Sequence, residues 1–140
     1  MDDKILIAND KDCEILNQYI IDYNLSKVPF PKNPPWESIN YVIKKDNTIV
    51  AGITSALIMN NILSIDVLFV SEKYRIQKYG SLLLEKVENE AKNKGAYLVQ
   101  LDTFEFQALG FYQKHCYEIF GILEDCPSKG HKRYYLKKNL

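Results

Sequence analysis

The chain has no surplus of charge of either sign: 18 basic residues stand against 18 acidic ones in 140. A dedicated nucleic-acid binder carries a basic excess, so no nucleic-acid partner is expected. There is no apolar run near the ~18 residues a membrane-spanning helix needs, so no membrane insertion is expected. The N-terminal Met1-Asp2-Asp3-Lys4 lacks the basic and apolar regions of a secretory leader, and the expected location is cytoplasmic. Cysteine is scarce: Cys13, Cys116 and Cys126 are odd in number and lack metal-ligand spacing. With only His115 and His131 besides, no metal site is expected. No histidine is placed by sequence to activate Cys116, so a thiol nucleophile is disfavoured. Repeats, low-complexity tracts and linkers are also missing. A length of 140 residues suits one domain, residues 1–140, with a real core.

What is present is a regular alternation of elements. Residues 5–8 read as a short strand. Asp10 or Asp12 can cap a following helix, and Leu16, Tyr19, Ile20 and Tyr23 give that helix one face to bury. Pro29, Pro31, Pro34 and Pro35 forbid regular structure, so residues 26–36 read as a long loop, either lining a site or crossing the surface. Three strand-like runs follow. Ile39, Tyr41 and Ile43 alternate with polar residues; residues 49–58 form a second run, broken by Gly52; residues 62–70 form the third. Turns at Asp46-Asn47 and Asn60-Asn61 make these an antiparallel meander.

Residues 81–94 are the clearest helix, with Leu83, Leu84, Val87 and Ala91 as its apolar stripe. Glu88–Lys92 and Glu90–Lys94 stand in the favourable i,i+4 order, and Gly95 suits the C′ position. Residues 97–103 read as a strand, 105–115 as a helix, and 118–124 and 133–136 as closing strands. The strand–helix–strand crossover predicts a mixed sheet with helices on its faces, an α/β (α+β) class.

The most informative stretch lies where the third run meets the helix. The apolar strand ends at Val70, a short basic loop turns, and the helix opens at Gly80-Ser81. Unpaired first-turn N–H groups and the helix dipole favour an anion there, and Arg75 and Lys78 add positive charge. A second stretch, Phe106-Gln107-Ala108-Leu109-Gly110-Phe111-Tyr112-Gln113-Lys114-His115-Cys116-Tyr117, follows one helix and one strand later.

Together these stretches resemble the acyl-CoA-binding segments of the Gcn5-related N-acetyltransferase (GNAT) family. The first corresponds to the family's Arg/Gln-x-x-Gly-x-Gly/Ala loop, here Arg75-Ile76-Gln77-Lys78-Tyr79-Gly80. The second corresponds to its alanine, Phe-Tyr pair and Lys-x-Gly-Phe/Tyr ending. The resemblance covers residues 38–140, with a family-like first helix before it. Three positions depart from the pattern. Lys78 replaces the first loop glycine, where a positive φ would cost it about 1 kcal/mol. Cys116 replaces the glycine that ends the last helix. Phe104-Glu105 stands where an asparagine is usual.

The resemblance implies a single-domain GNAT-like fold: a mixed, mostly antiparallel sheet, helices on both faces, and a splayed strand pair that takes acetyl-CoA. It implies that Arg75, Gln77, Lys78, Tyr79, Gly80 and Ser81 hold the diphosphate. Leu68, Phe69 and Val70 would align the pantetheine through their backbone. Tyr112 matches the tyrosine that protonates the departing thiolate. Asp66 is the first candidate base and Asp102 the second, while Glu105, Glu124 and Asp125 could recruit a cationic amine. Strand alternation would put Asp66 on one face with Leu68 and Val70, opposite Ile65, Val67 and Phe69. The basic residues His131, Lys132, Arg133, Lys137 and Lys138 read as a solvated last strand. The implied activity is acetyl transfer from acetyl-CoA to a primary amine of a small molecule, without metal and by direct attack in a ternary complex. A homodimer is possible by analogy. The rival reading is a CoA-binding sensor that has kept the fold and lost turnover.

Overall fold

A computed structural model of the protein describes residues 3–28, 36–59 and 61–140. The chain divides into two compact units, Met1–Pro31 and Lys32–Leu140.

The first unit holds helix α1, Asp10–Lys27. Its cap is Asn9, not Asp10 or Asp12. The Asp12 amide donates to the Asn9 side chain (2.8 Å) and the Asn9 amide donates to the Asp12 carboxylate (3.0 Å). This reciprocal pair satisfies two amides that the helix itself cannot. Ser26 and Lys27 extend the helix into the stretch expected to be loop; the four prolines fall outside the described residues. Residues 5–8 form no strand, for they pair with no neighbouring chain. No residue of α1 is buried, Leu16, Tyr19, Ile20 and Tyr23 included.

The second unit is built on a seven-stranded sheet. Its strands are β1 (Trp36–Ser38), β2 (Tyr41–Lys45), β3 (Thr48–Ile58), β4 (Ile62–Val70), β5 (Leu98–Phe104), β6 (Glu118–Glu124) and β7 (Lys132–Asn139). The order is β1-β3-β4-β5-β7-β6, with β2 also paired to β3. Only β4 and β5 run parallel; every other pair is antiparallel. Asp46 (φ 49°) and Asn47 (φ 64°) join β2 to β3. Two successive positive φ values match the right-handed twist of a hairpin, and Asp and Asn tolerate them. Gly52 does not break β3. A Cβ there would lie 3.2 Å from Val42 Cγ1 and 3.3 Å from the Tyr41 carbonyl, so glycine lets β2 come close.

Helix α2, Tyr79–Asn93, packs on β3 and β4. Leu83, Leu84, Val87 and Ala91 are buried against Ile53, Leu63, Val99 and Leu136. Gly95, at φ 97°, follows its last turn as C′. Glu90 pairs with Lys94 (3.8 Å) as the i,i+4 spacing predicts. Glu88 instead turns inward. It is 5% exposed, accepts from Lys138 Nζ (2.8 and 3.1 Å), and accepts from the Tyr117 hydroxyl (3.0 Å). A fully bonded interior carboxylate outcompetes an exposed helical ion pair.

Helix α3 is shorter than its pattern: Leu109–Lys114, not residues 105–115. The Gln107 side chain explains the late start. Its Oε1 accepts from the Phe104 amide (2.8 Å) and the Thr103 hydroxyl (3.2 Å), holding the preceding residues in a turn. Cys116 takes φ 70° just past the helix, the conformation its glycine-like position called for. The last strand is longer than expected, reaching Asn139. Among the described residues, no helix is long and apolar enough to cross a membrane.

Candidate functional site

Strands β4 and β5 pair only at Ile62–Leu98, Leu63–Val99 and Ser64–Gln100. Beyond that, β4 keeps β3 on one side and β5 keeps β7, and the sheet opens between them. One edge of β4 then carries backbone groups with no strand to bond. The opening is a cleft of about 630 Å³.

A β-bulge shapes its wall. Ser55 faces Ile65 and Thr54 faces Val67, so Asp66 is the extra residue of β4. The extra residue reverses the alternation. Leu68 and Val70 therefore pack on the same core as Leu63 and Ile65, while Val67 and Phe69 are exposed. Uninterrupted alternation, which put Leu68 and Val70 with Asp66, fails at this one residue. Asp66 is exposed and lines the cleft, so its carboxylate bears no cost of burial.

One end of the cleft is positive. The 3-10 turn Glu72–Gln77 leads to Lys78, which serves as N-cap of α2 at φ 61°, ψ 24°. The cap makes no side-chain hydrogen bond and the first turn carries no acid. The Tyr79, Gly80 and Ser81 amides thus point outward without a capping partner, beside Arg75 and Lys78. Arg75 Nε donates to the Val70 carbonyl (3.2 Å), which ties the loop to the strand end. Gly80 is where α2 meets α3: a Cβ would lie 3.3 Å from Phe111 Cζ. Ser81 Oγ shares a hydrogen bond with His115 Nε2 (2.9 Å), and the His115 ring stands 4.7 Å from Phe111.

Across the gap, Tyr112 is 6% exposed and lines the same cleft. Its ring meets Phe111 (5.3 Å) and Tyr117 (5.6 Å) edge-on. Among the described residues its hydroxyl takes no hydrogen-bond partner. Burial, then the Asp102 charge, pushes its pKa up to about 12. Asp102 is engaged in a two-pronged pair with Arg133, Nε to Oδ1 at 3.0 Å and Nη2 to Oδ2 at 2.9 Å.

The chain that builds this cleft has relatives in sequence and in structure. Residues 13–116 match the acetyltransferase (GNAT) family. The chain belongs to that family. A solved acetyltransferase from Bacillus cereus ATCC 14579 is 37% identical, with a TM-score of 0.90 over 99% of this chain and 98% of that one. A candidate acetyltransferase from Agrobacterium tumefaciens is 25% identical, with a TM-score of 0.79 over the whole of both chains. An aminoglycoside 6'-N-acetyltransferase complexed with coenzyme A, 17% identical, shares the fold (TM-score 0.62, 97% of both chains). No curated protein matches the chain.

Within this GNAT fold the sequence-named residues divide. Asp66, Leu68, Phe69, Val70, Arg75, Lys78, Gly80, Ser81 and Tyr112 line the cleft. Gln77 and Tyr79 do not: Gln77 is exposed in the 3-10 turn, and the Tyr79 ring packs on the core and on Tyr74 (6.3 Å). Glu105 is not free to recruit an amine. It takes the Lys132 amide (2.9 Å) and His131 Nδ1, and those bonds hold its pKa below the usual carboxylate value. Asp125 accepts from the Gly130 amide (3.1 Å) and, like Glu124, is not part of the cleft wall. The basic last strand is engaged with acids: Arg133 with Asp102, Lys137 with Glu118 (3.8 Å), Lys138 with Glu88.

Sequence reasoning missed His115 and Phe106. The first signals itself only by contact across 34 positions, from Ser81. When His115 Nε2 carries the proton, it donates to Ser81 and leaves the serine hydroxyl free for an incoming anion. Substituting His115 by alanine is expected to raise the KM for acetyl-CoA by about 3- to 10-fold, the worth of one hydrogen bond, with kcat held. Initial rates at varied acetyl-CoA check this; an unchanged KM would remove His115 from the site.

Lys78→Gly separates backbone strain from charge. Glycine relieves about 1 kcal/mol of left-handed strain, less its own greater freedom in the unfolded chain. The expected net is a gain below about 1 kcal/mol in urea unfolding. Acetyl-CoA affinity should fall at the same time by about 3- to 10-fold, and less so at high salt, because an ammonium is lost. Unchanged affinity would show that the Lys78 ammonium plays no part.

Proposed function

We propose that this protein transfers an acetyl group from acetyl-CoA to a primary amine of a small molecule. The observation that carries the reading is Tyr112: a buried tyrosine whose neutral hydroxyl opens on the cleft between the parted strands, without a protein partner among the described residues. The diphosphate is held by Arg75, Lys78 and the amides of Tyr79, Gly80 and Ser81. The open backbone edge around Leu68 and Phe69, ending at Val70 whose carbonyl Arg75 already engages, aligns the pantetheine as a peptide strand would be aligned.

The chemistry then follows from proton bookkeeping. An alkylamine near pKa 10 must lose a proton before it attacks. Asp66 lines the cleft with no protein partner among the described residues and takes that proton, directly or through water. The nitrogen lone pair forms the C–N bond at the acetyl carbonyl, and a free β4 amide stabilises the oxyanion. The C–S bond breaks, the thiolate takes the Tyr112 proton, and the second nitrogen proton, released as the amide forms, returns through solvent to the Tyr112 phenolate. No covalent enzyme intermediate is needed, since Cys116 is exposed at the end of α3 and is not part of the cleft wall.

The test is thiol release from acetyl-CoA in the presence of a panel of primary amines, run beside a thermal-shift titration. A ligand at 100 times its Kd adds about 2.7 kcal/mol to native stability, enough for a shift of several degrees. Amine-dependent thiol release supports the reading. A saturable shift with no release across the panel would favour a CoA-binding sensor instead.

A further inference from the structure

We infer that the acceptor amine carries a single positive charge on a flat apolar body, of the aryl-alkylamine kind, and lies against Phe106; this rests on the acetyltransferase reading above. The argument begins with charge. Four charged side chains line the cleft: Arg75 and Lys78 at the helix end, Asp66 and Asp102 elsewhere. Asp102 is neutralised by Arg133 through two bonds. Glu105, beside the cleft in sequence, is spent on His131 and the Lys132 amide. Asp66 is therefore the one carboxylate of the cleft wall without a protein partner among the described residues. One unspent carboxylate matches one ammonium. A polyamine or a multiply charged aminosugar would bring cations that find no counterion and lose hydration.

The second observation is apolar. Val67, Phe69 and Phe106 line the cleft and remain 48%, 53% and 58% exposed. Exposed apolar residues are ordinary when scattered; gathered on a cleft wall they mark a binding surface. Phe106 is also braced. Phe104 stacks on it at 5.3 Å and 20°, and His131 meets it edge-on at 5.4 Å. The Gln107 side chain fixes the turn that presents it, and the His131–Glu105 pair fixes the other support. A braced aromatic offers a flat partner at little further entropic cost. A planar ring gains from it beyond the area covered, whereas a hydroxyl-covered sugar would lose water without replacing its hydrogen bonds.

The experiment compares kcat/KM for 2-phenylethylamine, n-hexylamine and glucosamine, with acetyl-CoA binding followed by calorimetry. The expected order puts phenylethylamine about 5- to 10-fold above hexylamine, the worth of one aromatic pair. It stands about 100-fold above glucosamine. Phe106→Tyr keeps the flat face and should keep the preference over hexylamine. Phe106→Leu keeps apolar bulk without it, and should bring the two amines within about 2-fold of each other, through the KM for the aryl amine. Equal or faster turnover of hexylamine or glucosamine by the unaltered protein would overturn this inference and leave the acetyltransferase reading standing. A preference that survives Phe106→Leu would do the same. No thiol release with any of the three, while acetyl-CoA binds, would overturn both.

Discussion

Tyr112→Phe is expected to lower kcat by about 100- to 1,000-fold while acetyl-CoA still binds, because positioned general acids contribute about that much. The substitution is unusually clean. The hydroxyl has no protein partner among the described residues, so its removal orphans nothing, and the ring keeps its edge contacts with Phe111 and Tyr117. The melting temperature should stay within a few degrees. A pH profile adds a sharper check. Burial, and then the Asp102 charge, holds the tyrosine protonated up to about pH 12. Activity should therefore not fall from pH 8 to about 10 through loss of the acid. The same shift bears on stability. The folded value lies above the ordinary 10.0, so its stabilising contribution is complete below pH 10 and disappears as pH rises through about 12. Across that window the phenylalanine variant should lose less stability than the parent. A variant with unchanged kcat would sink the acid assignment, whatever its stability.

Glu88→Ala is expected to be the most destabilising single change among those considered. Its carboxylate lies under the sheet, 5% exposed, bonded to the Lys138 ammonium and the Tyr117 hydroxyl. Removing it leaves a part-buried ammonium and a buried hydroxyl without their acceptor, at a cost of about 3 kcal/mol. At roughly 3 °C per kcal/mol for a domain of this size, melting should fall by about 10 °C. The effect should reach the site, since Tyr117 stands 5.6 Å from the Tyr112 ring. Tyr117 is itself held well above its ordinary pKa by burial, and then by the Glu88 charge, so it donates at any assay pH. Combining Glu88→Leu and Lys138→Met with Tyr117→Phe should recover most of the loss, because no charge or donor is then left without a partner. A single variant that melts within about 2 °C of the parent would show that water reaches this network freely.

Much of this was legible in one sequence because local rules and global fold agree. The stripe of α2 and the Asp46-Asn47 hairpin followed from periodicity and turn chemistry, and the positive φ at Lys78 and Cys116 from the glycines that the family resemblance puts at those positions. The two stretches around Arg75 and Tyr112 named most of the cleft wall before any geometry was available. The failures share a cause. Glu88 was assigned to Lys92 because helical spacing sees only its own helix; its partner lies 50 residues away on β7. Helix α3 was read too long because Gln107 spends its side chain on the end of β5, an interaction no periodicity encodes. His115 escaped notice for the same reason, its significance lying in a serine on another helix.

The bulge at Asp66 leaves a mark that a saturation mutational scan of β4 would reveal. Above it, intolerance should fall at odd positions, Leu63 and Ile65; below it, at even ones, Leu68 and Val70. The parity of the strand changes at one codon. Deleting that codon would remove the carboxylate and the bulge together: Leu63, Ile65, Leu68 and Val70 would then follow one regular alternation on the core side, with Val67 and Phe69 still on the opposite face.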